Sequence, residues 1–128
     1  MDLNSGVCLI PVSIGEVWDK YTVLLVKKEK INDVSKLHIV NKEIEILQPH
    51  LKKSPISKKL LDSLKECNLA LWEVLDKQRK MEFSSVFNDE FIRLSREVYM
   101  LNDKRFSIKN QINLNAGSAI TEVKDYKK

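Results

Sequence analysis

The sequence predicts an all-α protein: a four-helix antiparallel bundle of long helices, led by a short extended segment and closed by a docked C-terminal tail. Three observations carry this. Only three glycines and three prolines occur in 128 residues, too few to turn a chain through a sandwich or a barrel. Apolar residues recur at intervals of three and four in four stretches, which marks one buried stripe per helix. Each stretch opens on residues suited to an N-cap: Ser13, Asn32-Asp33, Ser57 and Asn88. The length fits one domain, residues 1–128, with a core that needs no metal or disulfide staple.

Residues 1–6 form a polar leader. Val7 to Val12 is apolar and β-leaning, but Pro11 lacks a backbone donor, so it reads as an edge strand or an extended lead-in. Ser13-Ile14-Gly15-Glu16 is a capping box. The first helix follows to about Lys30, with Ile14, Val17, Tyr21, Leu24 and Ile31 as its inner stripe. Val23 and Val26 fall on the opposite side, so this helix is sandwiched, either within the bundle or at a subunit contact.

A second helix runs from about Val34 to Leu51. Its Leu37, Val40, Ile44, Leu47 and Leu51 favour antiparallel packing on the first helix. Pro55 breaks the chain, and Ser57 caps a third helix over about Lys58 to Met81. Leu60, Leu61, Leu64, Cys67, Leu71, Val74 and Leu75 form its buried side, with Asn68 inside that stripe. Asn88, Asp89 and Glu90 bring negative charge to the positive end of a fourth helix. That helix ends near Leu114, with Gly117 as a left-handed stop. Ile120, Val123 and Tyr126 give the polar tail something to dock with.

Composition excludes several function classes. The formal charge is +4 and mostly lysine, a mild excess typical of solvated helix faces, so nucleic acid is not the expected partner. Cys8 and Cys67 belong to no C-x-x-C pair, and His38 and His50 complete no zinc pattern. No metal and no cofactor is expected. Free thiols and the lack of a secretory signal or a long apolar run point to the cytoplasm and away from membranes.

The odd feature is the fourth helix. Phe91, Leu94, Val98, Leu101, Ile108 and Ile112 share one side, and Arg105 falls in the middle of that stripe. Asn102, Lys109 and Asn113 run along its edge. On the first helix Lys20 and Lys27 share an edge, and Lys28 sits on the stripe. A buried cation costs several kcal/mol unless it is paired. Asp19, Glu16, Glu73 and Asp103 are available partners. The candidate site is therefore Arg105, Lys109, Asn102, Asn68, Lys20, Lys27, Asp19 and Asn113. No nucleophile can be nominated, and Glu43 and Glu45, two apart, face different ways.

Three segments together carry a resemblance. They are Pro11-Val12-Ser13-Ile14-Gly15-Glu16 with Asp19-Lys20; Asn68 with Leu71-Trp72; and Tyr99, Asn102-Asp103-Lys104-Arg105, Ile108-Lys109, Ile112-Asn113, Gly117-Ser118, Glu122, Lys124 and Tyr126. The chain resembles a family of small bacterial proteins, domain of unknown function 6165, over nearly its whole length. The resemblance implies a complete protein and supplies no activity. The family pattern has leucine where this chain has Lys28, so Lys28 is left out of the site.

Two functions fit these residues. One is a non-enzymatic helical interaction module that self-associates as a dimer, burying Val23 and Val26. The other is a binding protein or enzyme for a small anionic carboxylate or phosphate metabolite, clamped by Arg105 inside the bundle.

Overall fold

The computed structural model describes residues 5–126. Four helices make up the fold: α1 (Ile14–Lys30), α2 (Val34–Lys53), α3 (Lys58–Phe83) and α4 (Asp89–Ala116). There is no strand among the described residues. Val7 to Val12 is an exposed lead-in that forms neither helix nor strand. No helix among the described residues is long and apolar enough to cross a membrane.

The helix starts follow from side-chain capping of free backbone amides. Ser13, Asp33, Ser57 and Asn88 each accept from an amide three residues on. Gly117 ends α4 at φ 65°, a left-handed turn that only glycine adopts without strain. The last three helices run two residues further than their apolar periodicity requires. In α2 the helix even accommodates Pro49 four residues from its end. That proline is exposed, so the carbonyl it leaves without a partner has access to water.

Successive helices run in opposite directions. Lys20 of α1 meets Glu43 of α2, and Trp18 reaches Ser54 beyond the end of α2. Gln78 of α3 meets Ser95 of α4, while Cys67 lies against Leu101. The helices do not fill a square, however. α1 packs on the other three, α3 packs on α1 and α4, and α2 packs on α1 alone. The core gathers Trp18, Leu51, Leu64, Cys67, Ile108 and Ile112. Burying a leucine or isoleucine fully stabilises the fold by about 1.5–3 kcal/mol, and Leu24, Leu64, Leu94 and Ile112 are all sealed from solvent.

Because α1 is covered on several sides, it has no single inner stripe. Trp18, Asp19, Thr22, Leu24 and Val26 are its buried side chains, while Ile14, Val17, Tyr21 and Ile31 are only half-buried. Val26 is 1% exposed within one chain and Val23 is half-buried. The two-faced pattern thus reflects the place of α1 inside the bundle, and Val26 is already covered without a second subunit. The indole of Trp18 donates to the Ser54 carbonyl at 2.7 Å, which lets a tryptophan sit deep without an unpaired N–H.

Beyond the end of α1 the architecture thins to two helices. Lys30, its last residue, reaches Glu73 on α3 at 3.2 Å. From Asp76 to Phe83 α3 runs on for eight residues, about 12 Å at 1.5 Å per residue. Its partner there is the first half of α4, tied by the Gln78–Ser95 hydrogen bond at 2.6 Å. Phe87 and Phe91 meet edge to face at the turn, with ring centroids 5.3 Å apart.

Candidate functional site

The polar residues that interrupt the helix stripes converge where α1, α3 and α4 meet. Asp19 is the hub. It sits on the buried side of α1, and its carboxylate is 4% exposed. Arg105 of α4 approaches side-on: Nε donates to Oδ1 at 2.8 Å and Nη2 to Oδ2 at 2.5 Å. Asn68 of α3 donates through Nδ2 to Asp19 Oδ1 at 3.0 Å and to Thr22 Oγ1 at 2.9 Å. The Thr22 hydroxyl itself donates back to the Asp19 carbonyl. One buried acid therefore draws together three helices, and the Asp19 hydrogen bond holds Arg105 above its ordinary pKa.

A second cluster lies one turn away along α1 and α4. Lys109 is buried at its head, with 7% side-chain exposure. Its Nζ lies 2.6 Å from Glu16 Oε2 and 2.9 Å from Glu122 Oε2. Burial works to lower the pKa of Lys109, but the hydrogen bonds to Glu16 and Glu122, with the field of Asp19, raise it on balance. Glu16 is thus drawn to Lys109 rather than turning back on the Ser13 amide as a capping box would have it. The serine half of that box is made, with the Glu16 amide 3.1 Å from Ser13 Oγ.

The start of α1 is capped in trans as well. The Gly15 amide donates to Asn113 Oδ1 at 2.7 Å, and the Ile14 amide to Ser118 Oγ at 3.3 Å. Helix amides that would otherwise attract an external anion are thereby engaged by the end of α4 and the chain just after it. Gly15 is what allows this approach. A Cβ there would stand 2.6 Å from the Lys109 carbonyl oxygen and 2.9 Å from Asn113 Oδ1. Asn113 Nδ2 is buried without a hydrogen-bond partner among the described residues.

The remaining predicted residues sit at the margin. Lys20 pairs with Glu43 at 3.5 Å across the α1–α2 boundary, and both are partly in water. Lys27 lies along the same cleft, with no carboxylate in ion-pair range among the described residues. The Asn102 carbonyl accepts from Lys124 at 3.4 Å. Lys124 in turn lies 3.7 Å from Asp103 and over the rings of Phe106 and Tyr126. The tail is held to α4 by these contacts and by Glu122.

Three depressions border Arg105. One of about 340 Å³ lies over α1 between α2 and α4, with Lys20, Lys27 and Glu43 on its walls. One of about 230 Å³ lies beneath the tail, with Lys109, Glu122 and Lys124. One of about 280 Å³ lies between α1, α3 and α4, with Asn68 and Trp72. A larger depression, about 730 Å³, adjoins the cavity beneath the tail: an aromatic groove between α4 and the tail, with Tyr99, Phe106 and Tyr126.

The arrangement brings Asp19, Asn68 and Arg105 into one bonded cluster and Lys109 and Asn113 into its neighbour. Lys20, Lys27 and Asn102 line the adjoining clefts. Arg105, expected to clamp an external anion, gives its Nε–Nη2 fork to Asp19. Sequence reasoning missed Thr22, and it gave Glu122 and Ser118 no partner. Threonine at helical spacing from Asp19 was the available signal for the first. A short polar tail offers no periodicity for the others.

This chain belongs to a family of unknown function, DUF6165, whose model matches residues 9–128. No curated protein matches it, and no solved structure does.

Proposed function

We propose that this member of the DUF6165 family is a non-enzymatic helical interaction module that self-associates, working as a cytoplasmic homodimer. The observation that carries this reading is the surface of the α3–α4 hairpin. Phe83 is 94% exposed, and Val86, Phe87, Ile92, Tyr99 and Met100 are exposed around and below it. Exposed apolar side chains gathered on one helical hairpin are the kind of surface that a contact site covers. Two helices can bury only one stripe each, and pairing two hairpins completes a four-helix bundle. A symmetric pair places the same patch on both sides of the contact.

The charges favour this reading over an open anion pocket. Arg105, Lys109, Lys124 and Lys20 each have a carboxylate of the same chain: Asp19, Glu16 with Glu122, Asp103 and Glu43. An external anion would have to displace one of them. Cys8 is exposed, Cys67 is buried and both are free, which fits a reducing compartment.

Light scattering on the eluting protein tests the proposal. Native protein at tens of micromolar should elute at twice the chain mass, and the double variant Phe83→Glu, Phe87→Glu at the single mass with its helical circular dichroism intact. A single chain mass for the native protein at that concentration would overturn the reading.

A further inference from the structure

The cavity beneath the tail is walled mainly by charged residues, and two of its charges, on Glu122 and Lys124, are borne by a segment outside the helices. We infer that this cavity is a seat for a small oxyanion, a carboxylate or a phosphate, and that Glu122 occupies it as an internal stand-in for the ligand.

The geometry around Lys109 supports this. Its ammonium is fixed by α4 and almost sealed, and two carboxylates lie on it, Glu16 at 2.6 Å and Glu122 at 2.9 Å. The two acids are not equivalent. Glu16 stands in the first turn of α1, where the Ser13 cap and the Asn113 and Ser118 contacts lock the backbone. Glu122 stands on an irregular tail in which no described residue from Ser118 to Tyr126 is buried; Val123 and Tyr126 are more than three-quarters exposed. Polar contacts hold that tail in place. Both carboxylates are partly exposed, Glu16 at 47% and Glu122 at 34%, and such ion pairs are weak and screened by salt; what sets Glu122 apart is that no helix fixes its backbone.

The charge balance shows what would replace it. Arg105, Lys109 and Lys124 border the cavity as cations. Asp19 pairs with the first, Glu16 and Glu122 both pair with Lys109, and Asp103 lies 3.7 Å from Lys124. When Glu122 turns out, Lys109 keeps Glu16 and loses one of its two carboxylate contacts, so one oxyanion position beside the ammonium is vacated. Arg105 adds donors, because its Nη1 makes no hydrogen bond among the described residues while Nε and Nη2 hold Asp19. The cavity, about 230 Å³, is several times the roughly 30 Å³ that one water takes in the liquid. A carboxylate can reproduce the Glu122 contact. A phosphate can make that contact and reach Arg105 with a further oxygen. The tail then acts as a latch that closes the seat when no ligand is present.

The test is calorimetric titration of the full chain with inorganic phosphate and, separately, with acetate, at constant ionic strength. Glu122→Gln keeps the size of the side chain and removes its charge. It should bind phosphate or acetate at least tenfold more tightly than native protein, because the competing carboxylate is gone. Glu45→Gln, the same charge change at an exposed site on α2, should leave the affinity at the native value. Adding Lys109→Gln to Glu122→Gln should return the affinity to the native value or below. Circular dichroism identifies any variant that has lost its helices, and the Glu122→Gln comparison stands without the lysine variant. Equal affinity for both anions in Glu122→Gln and native protein would overturn the inference, as would an equal gain in Glu45→Gln.

Discussion

Arg105 and Asp19 meet in a side-on fork, with Nε and Nη2 at 2.8 and 2.5 Å from the two carboxylate oxygens, across 86 positions of chain. The basic residue that interrupts the apolar stripe of α4 is there neutralised by an acid that interrupts the buried side of α1. The two ends of the pair differ in one respect. The Arg105 side chain is 31% exposed and Asp19 only 4%.

That difference predicts an asymmetry between variants. Arg105→Met strands a carboxylate that cannot reach water and should cost about 3 kcal/mol of stability. Asp19→Asn leaves a guanidinium that can turn to solvent and should cost about half as much. Urea unfolding of the two variants and their combination checks this. The double variant should lose less than the singles together, as expected for residues in one network.

Gly15→Ala should destabilise the protein even though alanine is the better helix former. The gain in propensity is about 1 kcal/mol. The added Cβ would lie 2.6 Å from the Lys109 carbonyl, and forcing two packed backbones apart costs about 1–3 kcal/mol. Removal of the Asn113 contact to the Gly15 amide adds to that. Thermal denaturation should show a lower midpoint for Gly15→Ala; a midpoint above native would mean that α1 and α4 are not this close.

Pro49→Ala should have the opposite sign. The ring sits inside α2, where proline costs about 3 kcal/mol relative to alanine, and its side chain is exposed. A gain of about 1–3 kcal/mol is expected. An unchanged midpoint in chemical denaturation would show that this end of α2 contributes nothing to cooperative stability.

Lys109 sets an alkaline limit. Its pKa in the folded chain lies above the ordinary 10.5, so its contribution to stability is fully present below that value. The contribution is lost as the pH rises through the folded pKa. Unfolding midpoints should fall above about pH 10.5, and Lys109→Met should flatten that fall.

How much of this was legible in the sequence depends on the range of the forces involved. The four helices, their caps at Ser13, Asp33, Ser57 and Asn88, and the Gly117 stop depend on residues within one turn, and all were readable. The packing of α2 on α1 alone was not, because heptad spacing says that a helix has a partner and leaves open how many. The burial of Trp18 and Thr22 in place of Ile14 and Val17 follows from the covering of α1 on several sides, which its apolar pattern signals only as two faces. Arg105, Asn68 and Lys109 stood out because charge and amide in a buried stripe demand partners. Asp19 and Glu16 were on the short list of acids, yet nothing local chose between them and Glu73 or Asp103. Glu122 lay in a stretch without periodicity, so only the fold could bring it to Lys109.

Self-association through the α3–α4 hairpin is tested most directly by amide hydrogen exchange on the native protein at two concentrations a hundredfold apart. A dimer joined there predicts that amides between residues 79 and 92 exchange more slowly in the concentrated sample while those of α2 do not change. Identical exchange along the hairpin at both concentrations would contradict it.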